Sequence, residues 1–290
     1  MSGSATEVED EAIVLRTYKS GEADRVCVLW TRRHGKLRVL AKGVRKTSSR
    51  MGGSLEPMGH VTVQLVKGRG DLWITKHVTH RERMTTLRGD YDRIAAGLAV
   101  VEVVDAIPTD EAADEGIFEM LVRVLLTLDN PEFRPELVAS SFFFKLLAHD
   151  GSGPVVDLCV NCGSRGPLVA FNAEVGGTLC VNCRSGAAIS ADALELIRRI
   201  LGGDLAGVLR GVVPAGAAEV NSLAHDAIEA HLGRRLKVAR SAATLSPASA
   251  SPAASSHGPS RAPEPDVEAD ELRRRPGVTG RGREGERLGP

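Results

Sequence analysis

The chain has 290 residues, 42% of them hydrophobic, and sets 37 Lys/Arg against 37 Asp/Glu, which allows two small domains, or one domain with an appendage, with a packed core over most of the length. No run of about 18 apolar residues occurs, and the acidic opening "MSGSATEVEDEAIVL" lacks the charge and apolar core of a signal peptide, so no membrane span or export is expected. The balanced total hides an asymmetry: residues 1–80 carry 14 basic and 8 acidic side chains, residues 81–240 carry 16 and 22, and this suggests a polyanion-binding module on a body that does not bind polyanions.

Five short β-type runs fill the front: "EAIVLRTY" (11–18), "RVCVLWTR" (25–32), "KLRVLAKG" (36–43), "HVTVQLVKG" (60–68) and "LWITKHVTH" (72–80). Alternation is clear in the fourth, where Val61, Val63 and Leu65 face one way while Thr62 and Gln64 face the other. The turns "SGEAD", "RHG" and "GRGD" are short, and only "VRKTSSRMGGSLEPMG" is long. Five strands in so few residues fit a small closed barrel, because closure removes edges that a small sheet could not otherwise protect; an SH3-like barrel is the alternative. Cys27, within an apolar strand, reads as an inert packed thiol.

From about residue 83 the pattern turns helical, with segments expected at 91–107, 110–128, 135–151, 190–203 and 217–240. Acidic residues open the second, Pro135 opens the third, and Ser190 is a candidate N-cap for the fourth. These segments are apolar over much of their circumference, which predicts a compact bundle. The stretch after residue 242 is rich in Ser, Ala, Pro, Gly and mixed charge, so 243–290 is expected to be a disordered tail. The expected division is 1–82 for the barrel and 83–242 for the helical domain.

Inside the helical part stands "CVNCGSRGPLVAFNAEVGGTLCVNC" (159–183), two Cys-x-x-Cys pairs 17 residues apart. Cys159, Cys162, Cys180 and Cys183 fit a four-thiolate zinc site, with a redox dithiol as the alternative. Each tight turn aims two sulfurs at one ion, and the insert, read as two strands around "NAEVGG", brings the second pair opposite. Four thiolates leave no open position for water, so the zinc is expected to be structural, within a module at 155–188. A zinc deaminase fits poorly: "HRE" at 80–82 is present, but both cysteine pairs follow Leu rather than Pro. The insert is also poor in cations for a DNA-reading finger.

The basic excess of the front concentrates in Arg32, Arg33, Lys36, Arg38, Lys42, Arg45, Lys46 and Arg50, with His34 among them and no acidic residue between; Lys67 and Arg69 follow. This run points to polyanion binding along strands two and three, the face with which small barrels track single strands. Trp30 and Trp73 are either stacking platforms or core residues, with core packing favoured. No phosphate loop, nucleophile elbow, zincin motif or dinucleotide loop occurs, so no enzyme is expected.

The order of these parts, with "KGVRK…SR…LEP", "GRGDL", "CVNCG…LCVNC" and "HLGRRLKVARS", closely resembles the RecO family of bacterial recombination mediators over roughly residues 9–242. Met58 stands where that family commonly has Phe. The resemblance implies an α+β multidomain chain: a five-stranded OB-fold barrel, then an α-helical domain with a four-cysteine zinc module. It also implies binding of single- and double-stranded DNA through the ten cations named above. Further implied are ATP-independent strand annealing, contact with the acidic C-terminal tail of single-stranded DNA-binding protein, a complex with RecR, and indirect help in loading RecA. The expected location is cytoplasmic, at the nucleoid during repair. The competing reading is a protein-interaction adaptor that does not bind DNA.

Overall fold

The computed structural model describes residues 6–46, 49, 51–68, 70–108 and 113–237. Arg50, Arg69 and the expected tail at 243–290 therefore lie outside the described residues. Strands β1 (Glu7–Ser20), β2 (Asp24–Thr31), β3 (Gly35–Ala41), β4 (His60–Lys67) and β5 (Leu72–Glu82) close into a barrel in the order β1-β2-β3-β5-β4. Neighbours are antiparallel except β3 and β5, which run parallel with Val39 opposite Trp73. This parallel closure is the OB arrangement and sets aside the SH3-like alternative. The first strand begins at Glu7 rather than residue 11, because its acidic residues alternate with Val8 and pair with β4 from Glu7↔Val66 onward. A β-bulge between Val14 and Arg16 re-aims the strand.

Two cores form, one on each side of the barrel wall. Inside are Ala12, Val14, Cys27, Leu29, Val39, Val61, Val63 and Leu65, joined by Val44 and Leu55 from the long β3–β4 connection. Cys27 is fully buried there, and burial pushes its thiol up to about 11, as expected of an inert packing residue. Outside, Ile13, Leu15, Val28 and Trp30 join a larger core built from the helices. Val26 through Thr31 are all buried, so β2 is covered on both faces.

The helices are α1 (Thr85–Gly89), α2 (Tyr91–Ala106), α3 (Glu115–Asp129), α4 (Val138–His149, entered through a 3-10 turn at Pro135–Leu137), α5 (Ala191–Leu201), α6 (Leu205–Leu209) and α7 (Ala217–Leu232). The side chains of Asp90, Asp114 and Ser190 accept bonds from Arg93 N, Ile117 N and Ala193 N, capping α2, α3 and α5; each such cap contributes about 1 kcal/mol. Central α2 packs against β1, α3 and α4, which explains burial all round from Ala96 to Val104. Arg93 on α2 is buried with its charge: Nη1 donates to Leu128 O (2.7 Å) and Asn130 O (3.0 Å), and Nη2 to Phe133 O (2.8 Å). It thereby satisfies carbonyls at the end of α3 that the helix itself leaves open.

Two helical expectations shift. The segment 110–128 is helical only from Glu115, where Asp114 supplies the cap; residues 109–112 are outside the described set. The segment 217–240 leaves the helix after Leu232, because Gly233 takes a left-handed backbone (φ 62) and Arg234 N returns to Glu229 O. The short α1 and α6 were not read in the sequence, having too few residues to show a period.

Met58 is buried at the barrel–helix boundary with φ 66, and its sulfur faces Gly97 of α2, where a Cβ would collide with it. A thioether adapts to this gap. Between α4 and α5 the chain forms a small sheet of β6 (Leu168–Asn172), β7 (Gly177–Cys180) and β8 (Ala187–Ala188), in the order β7-β6-β8. The first two are the hairpin expected around "NAEVGG". Arg198 of α5 anchors this module, donating to Val156 O (2.9 Å) and Asp157 Oδ1 (3.0 Å). Among the described residues no helix is long and apolar enough to cross a membrane.

Candidate metal centre and nucleic-acid interface

The four cysteines of the small sheet converge: all four sulfurs lie within 4.8 Å of one another, with Cys162 and Cys180 at 3.7 Å. Sulfurs at the corners of a tetrahedron around an ion with bonds of about 2.3 Å stand at such separations. Each pair sits in a tight turn. Cys159 N donates to Ser164 O (2.9 Å), Gly163 N returns to Cys159 O (2.8 Å), and Cys183 N to Cys180 O (3.1 Å). Gly163 holds φ 71, a backbone state that suits glycine as the chain curls back after Cys162. The backbone N–H groups of Cys180, Cys162 and Asn161 favour a thiolate at Cys159 and bring it down to about 6. Such a site could hold a metal ion through four thiolates. Cys159, Ala170, Leu179 and Cys180 also form the apolar centre of the module, so a bound ion and this small core would reinforce one another. His80 and Glu82 lie in β5 instead, and the four cysteines are the cluster of potential ligands found among the described residues.

The predicted basic residues separate into two groups. The first is tied into the fold. Arg32 bonds Glu11 (3.2 Å), Glu115 (2.7 Å) and Glu119 (2.6 Å), and lies over the Phe118 ring, bridging β2 to α3. Arg33 bonds Glu9 O and Asp10. Lys36 donates to Asp105 O (3.0 Å) and Ile107 O at the end of α2. Asp10, only 2% exposed, organises the β2–β3 turn by accepting from Arg33 N (3.1 Å) and contacting His34 Nδ1 (2.6 Å). Burial pushes its carboxyl up, but the bonds from His34 and the Arg33 and Glu11 amides prevail and hold it below the usual carboxylate value.

The second group, Arg38, Lys42, Arg45, Lys46 and Lys67, is exposed. Arg45 donates only to the Gly21 and Glu22 carbonyls (3.3 and 2.9 Å), Arg38 to the Tyr18 hydroxyl (3.0 Å), and Lys67 lies 4.9 Å from the Trp73 ring centre. None of these five forms a contact ion pair with a carboxylate among the described residues, although Asp71 lies close enough to Arg38 to act on its charge. The expectation of a binding face on strands two and three needs correction. The outer side of β2 is sealed by helices, and what stays open is β3 with its flanks. The near-continuous apolar run "VCVLW" was the signal for two-sided burial. Both tryptophans are core residues, Trp30 at 1% exposure and Trp73 at 8%.

Two residues of this surface escaped the sequence reading. Tyr18, 38% exposed, stands on the outer face of β1 with the Arg16 guanidinium 5.9 Å from its ring centre and Arg38 on its hydroxyl. Arg16 also pairs with Asp105 of α2 at 3.1 Å. The signal was the Arg-x-Tyr spacing in β1, which places both side chains on one face; only the pairing of β1, β2 and β3 brings Arg38 beside them.

Comparison with known proteins then decides the family. Residues 1–79 match the family described as Recombination protein O N terminal, and residues 88–240 match Recombination protein O C terminal. The chain is 37% identical to DNA repair protein RecO of Streptomyces coelicolor, across 80% of this chain and 96% of that one. It is 38% identical to DNA repair protein RecO of a Nocardioides species, across 79% and 96%. With DNA repair protein RecO of Frankia casuarinae the figures are 36% identity, 79% and 95%. The chain belongs to the RecO family. Its role therefore lies in DNA repair and recombination. The first RecO match ends within β5 at residue 79 and the second begins within α1 at residue 88, so the first covers nearly all of the barrel and the second the helices from α1 onward with the cysteine module.

Proposed function

We propose that this RecO-family chain is a non-enzymatic, DNA-binding recombination mediator of the bacterial cytoplasm, acting at the nucleoid during repair. The barrel, residues 1–82, is its DNA-binding domain, and Arg38, Lys42, Arg45, Lys46 and Lys67 are the main phosphate contacts, with Arg50 and Arg69 as further candidates. The observation that carries this reading is the set of exposed cations without ion-pair partners on β3 and its flanks, whereas Arg16, Arg25, Arg32 and Arg33 of the same barrel are paired with carboxylates. Arg32 and Lys36 act mainly by holding the barrel to the helices, and Arg33 by bracing the β2–β3 turn against β1. The helical domain, 83–242, carries a structural Zn2+ on Cys159, Cys162, Cys180 and Cys183. Zinc suits a closed set of four thiolates because it needs no redox partner and accepts a tetrahedron without strain.

The mechanism requires no active site. A cationic surface that engages two complementary strands lowers their mutual repulsion and raises their local concentration. Base pairing then supplies the free energy, so annealing runs without ATP. The family resemblance supports the partners: single- and double-stranded DNA, RecR, the acidic tail of single-stranded DNA-binding protein, and RecA indirectly.

The test is annealing of complementary strands coated with single-stranded DNA-binding protein, without ATP, comparing the natural chain with Arg45→Glu/Lys46→Glu. Acceleration by the natural chain, removed by the double reversal, supports the mediator reading. A chain that binds the coat protein but neither binds nor anneals DNA would instead be an adaptor.

A further inference from the structure

We propose that Tyr18 is the base-stacking platform of the barrel, holding one unpaired nucleobase of single-stranded DNA on its ring while Arg16 and Arg38 meet the neighbouring phosphates. This rests on the barrel being the DNA-binding part and adds which form of DNA the surface selects.

The register of the barrel builds the surface. One cross-strand row on the outer wall runs Tyr18, Val26, Leu40, Ile74, and the adjacent row runs Arg16, Val28, Arg38, Leu72; the β2 members Val26 and Val28 are buried, so the residues of β1, β3 and β5 form what is open of each row. The two rows are two residues apart along the strands, roughly 6.6 Å, a separation close to one nucleotide step of an extended single strand. The first row is aromatic and aliphatic, and the second carries two guanidinium groups. An apolar row beside a cationic one suits a chain with flat bases on one side and phosphates on the other.

Tyr18 meets the requirements of a platform. It is exposed in the free protein, whereas Trp30 and Trp73 are buried. The bond from Arg38 Nη2 to its hydroxyl holds the ring edge at 3.0 Å, so little side-chain freedom is lost on stacking. Arg16 keeps 60% of its side chain exposed while bonded to Asp105, leaving guanidinium donors for a phosphate. A duplex offers this ring phosphates and groove edges but no base face, because its bases are stacked on one another. The ring therefore adds affinity for single strands alone.

The experiment measures affinity of the full chain and its variants for a labelled 12-nucleotide oligothymidine and for a duplex of the same length, by anisotropy at one fixed salt concentration. Tyr18→Ala is expected to weaken oligothymidine binding by about five- to a hundredfold and leave the duplex within about twofold, while Tyr18→Phe keeps most of the single-strand affinity. In Tyr18→Trp the new indole is expected to be quenched by the oligonucleotide. Equal losses on both DNA forms, or no quenching, would overturn the stacking role. If Tyr18→Ala changes nothing while Arg45→Glu/Lys46→Glu weakens both forms, the barrel still binds DNA and only the Tyr18 proposal fails. If neither variant changes DNA affinity, the barrel reading fails first. Loss of binding to polyglutamate with DNA binding intact would assign the surface to an acidic protein segment and overturn the proposal.

Discussion

The salt dependence of DNA binding tests the cationic surface quantitatively. Each phosphate neutralised on a single strand contributes about −0.7 to the slope of log affinity against log salt. Five exposed cations, Arg38, Lys42, Arg45, Lys46 and Lys67, engaged one to a phosphate, give a slope of about −3.5. Raising salt from about 50 to 200 mM should then weaken binding by about a hundredfold. Arg45→Ala/Lys46→Ala leaves three such contacts, a slope of about −2.1 and a loss of only about twentyfold over the same range. These two side chains bond nothing beyond backbone carbonyls in the described structure, so their removal should leave folding intact. Anisotropy titrations of an oligothymidine at four or five salt concentrations read both slopes. A natural-chain slope shallower than about −1 would refute multiple phosphate contacts. A steep slope that the double variant does not change would place them elsewhere.

Arg93→Met keeps the length of the side chain and removes the donors to Leu128, Asn130 and Phe133 carbonyls; a stability loss of about 3–5 kcal/mol is expected from urea unfolding, and a loss under about 1 kcal/mol would show that these carbonyls find other partners. The Asp10 carboxyl is held below its ordinary value, so its contribution to stability is present above about pH 4 and disappears as pH falls through the folded value. Asp10→Asn should accordingly cost about 1.5–3 kcal/mol at pH 7, and the cost should shrink progressively as pH falls below about 4, with the urea midpoint across an acid pH series as the readout. For the cysteine centre, one zinc per chain is expected by elemental analysis. Cys162→Ser or a strong chelator should remove it, lower Tm and speed amide exchange in residues 155–188 more than in the barrel. Unchanged exchange there after metal loss would refute a structural role.

The sequence by itself determined the elements whose signal is local. Five short strands, the main helices, the Ser190 cap and the two cysteine pairs each follow from a period, a capping side chain or a ligand spacing within a few residues. Alternation in β4 gave its inward face, and 17 residues between the cysteine pairs left room for one hairpin. The start of α5 was legible from its Ser190 cap, but the Asp114 cap that starts α3 was not read, nor was Gly233, where the left-handed backbone of one residue stops α7.

The tertiary structure decided which charges are free, because charge pairing joins residues far apart in the chain. Arg32 and Arg38 look alike within one basic run, yet Arg32 is bonded to Glu115 and Glu119 of α3 while Arg38 is exposed beside Tyr18. Only the fold brings α3 against the barrel and seals the outer side of β2, which moves the open surface to β3. The same holds for Arg16, Tyr18 and Arg38, which share one face because β2 lies between β1 and β3 in register. Period and spacing identify what each segment is, whereas long-range pairing sets which of its side chains remain available to a partner.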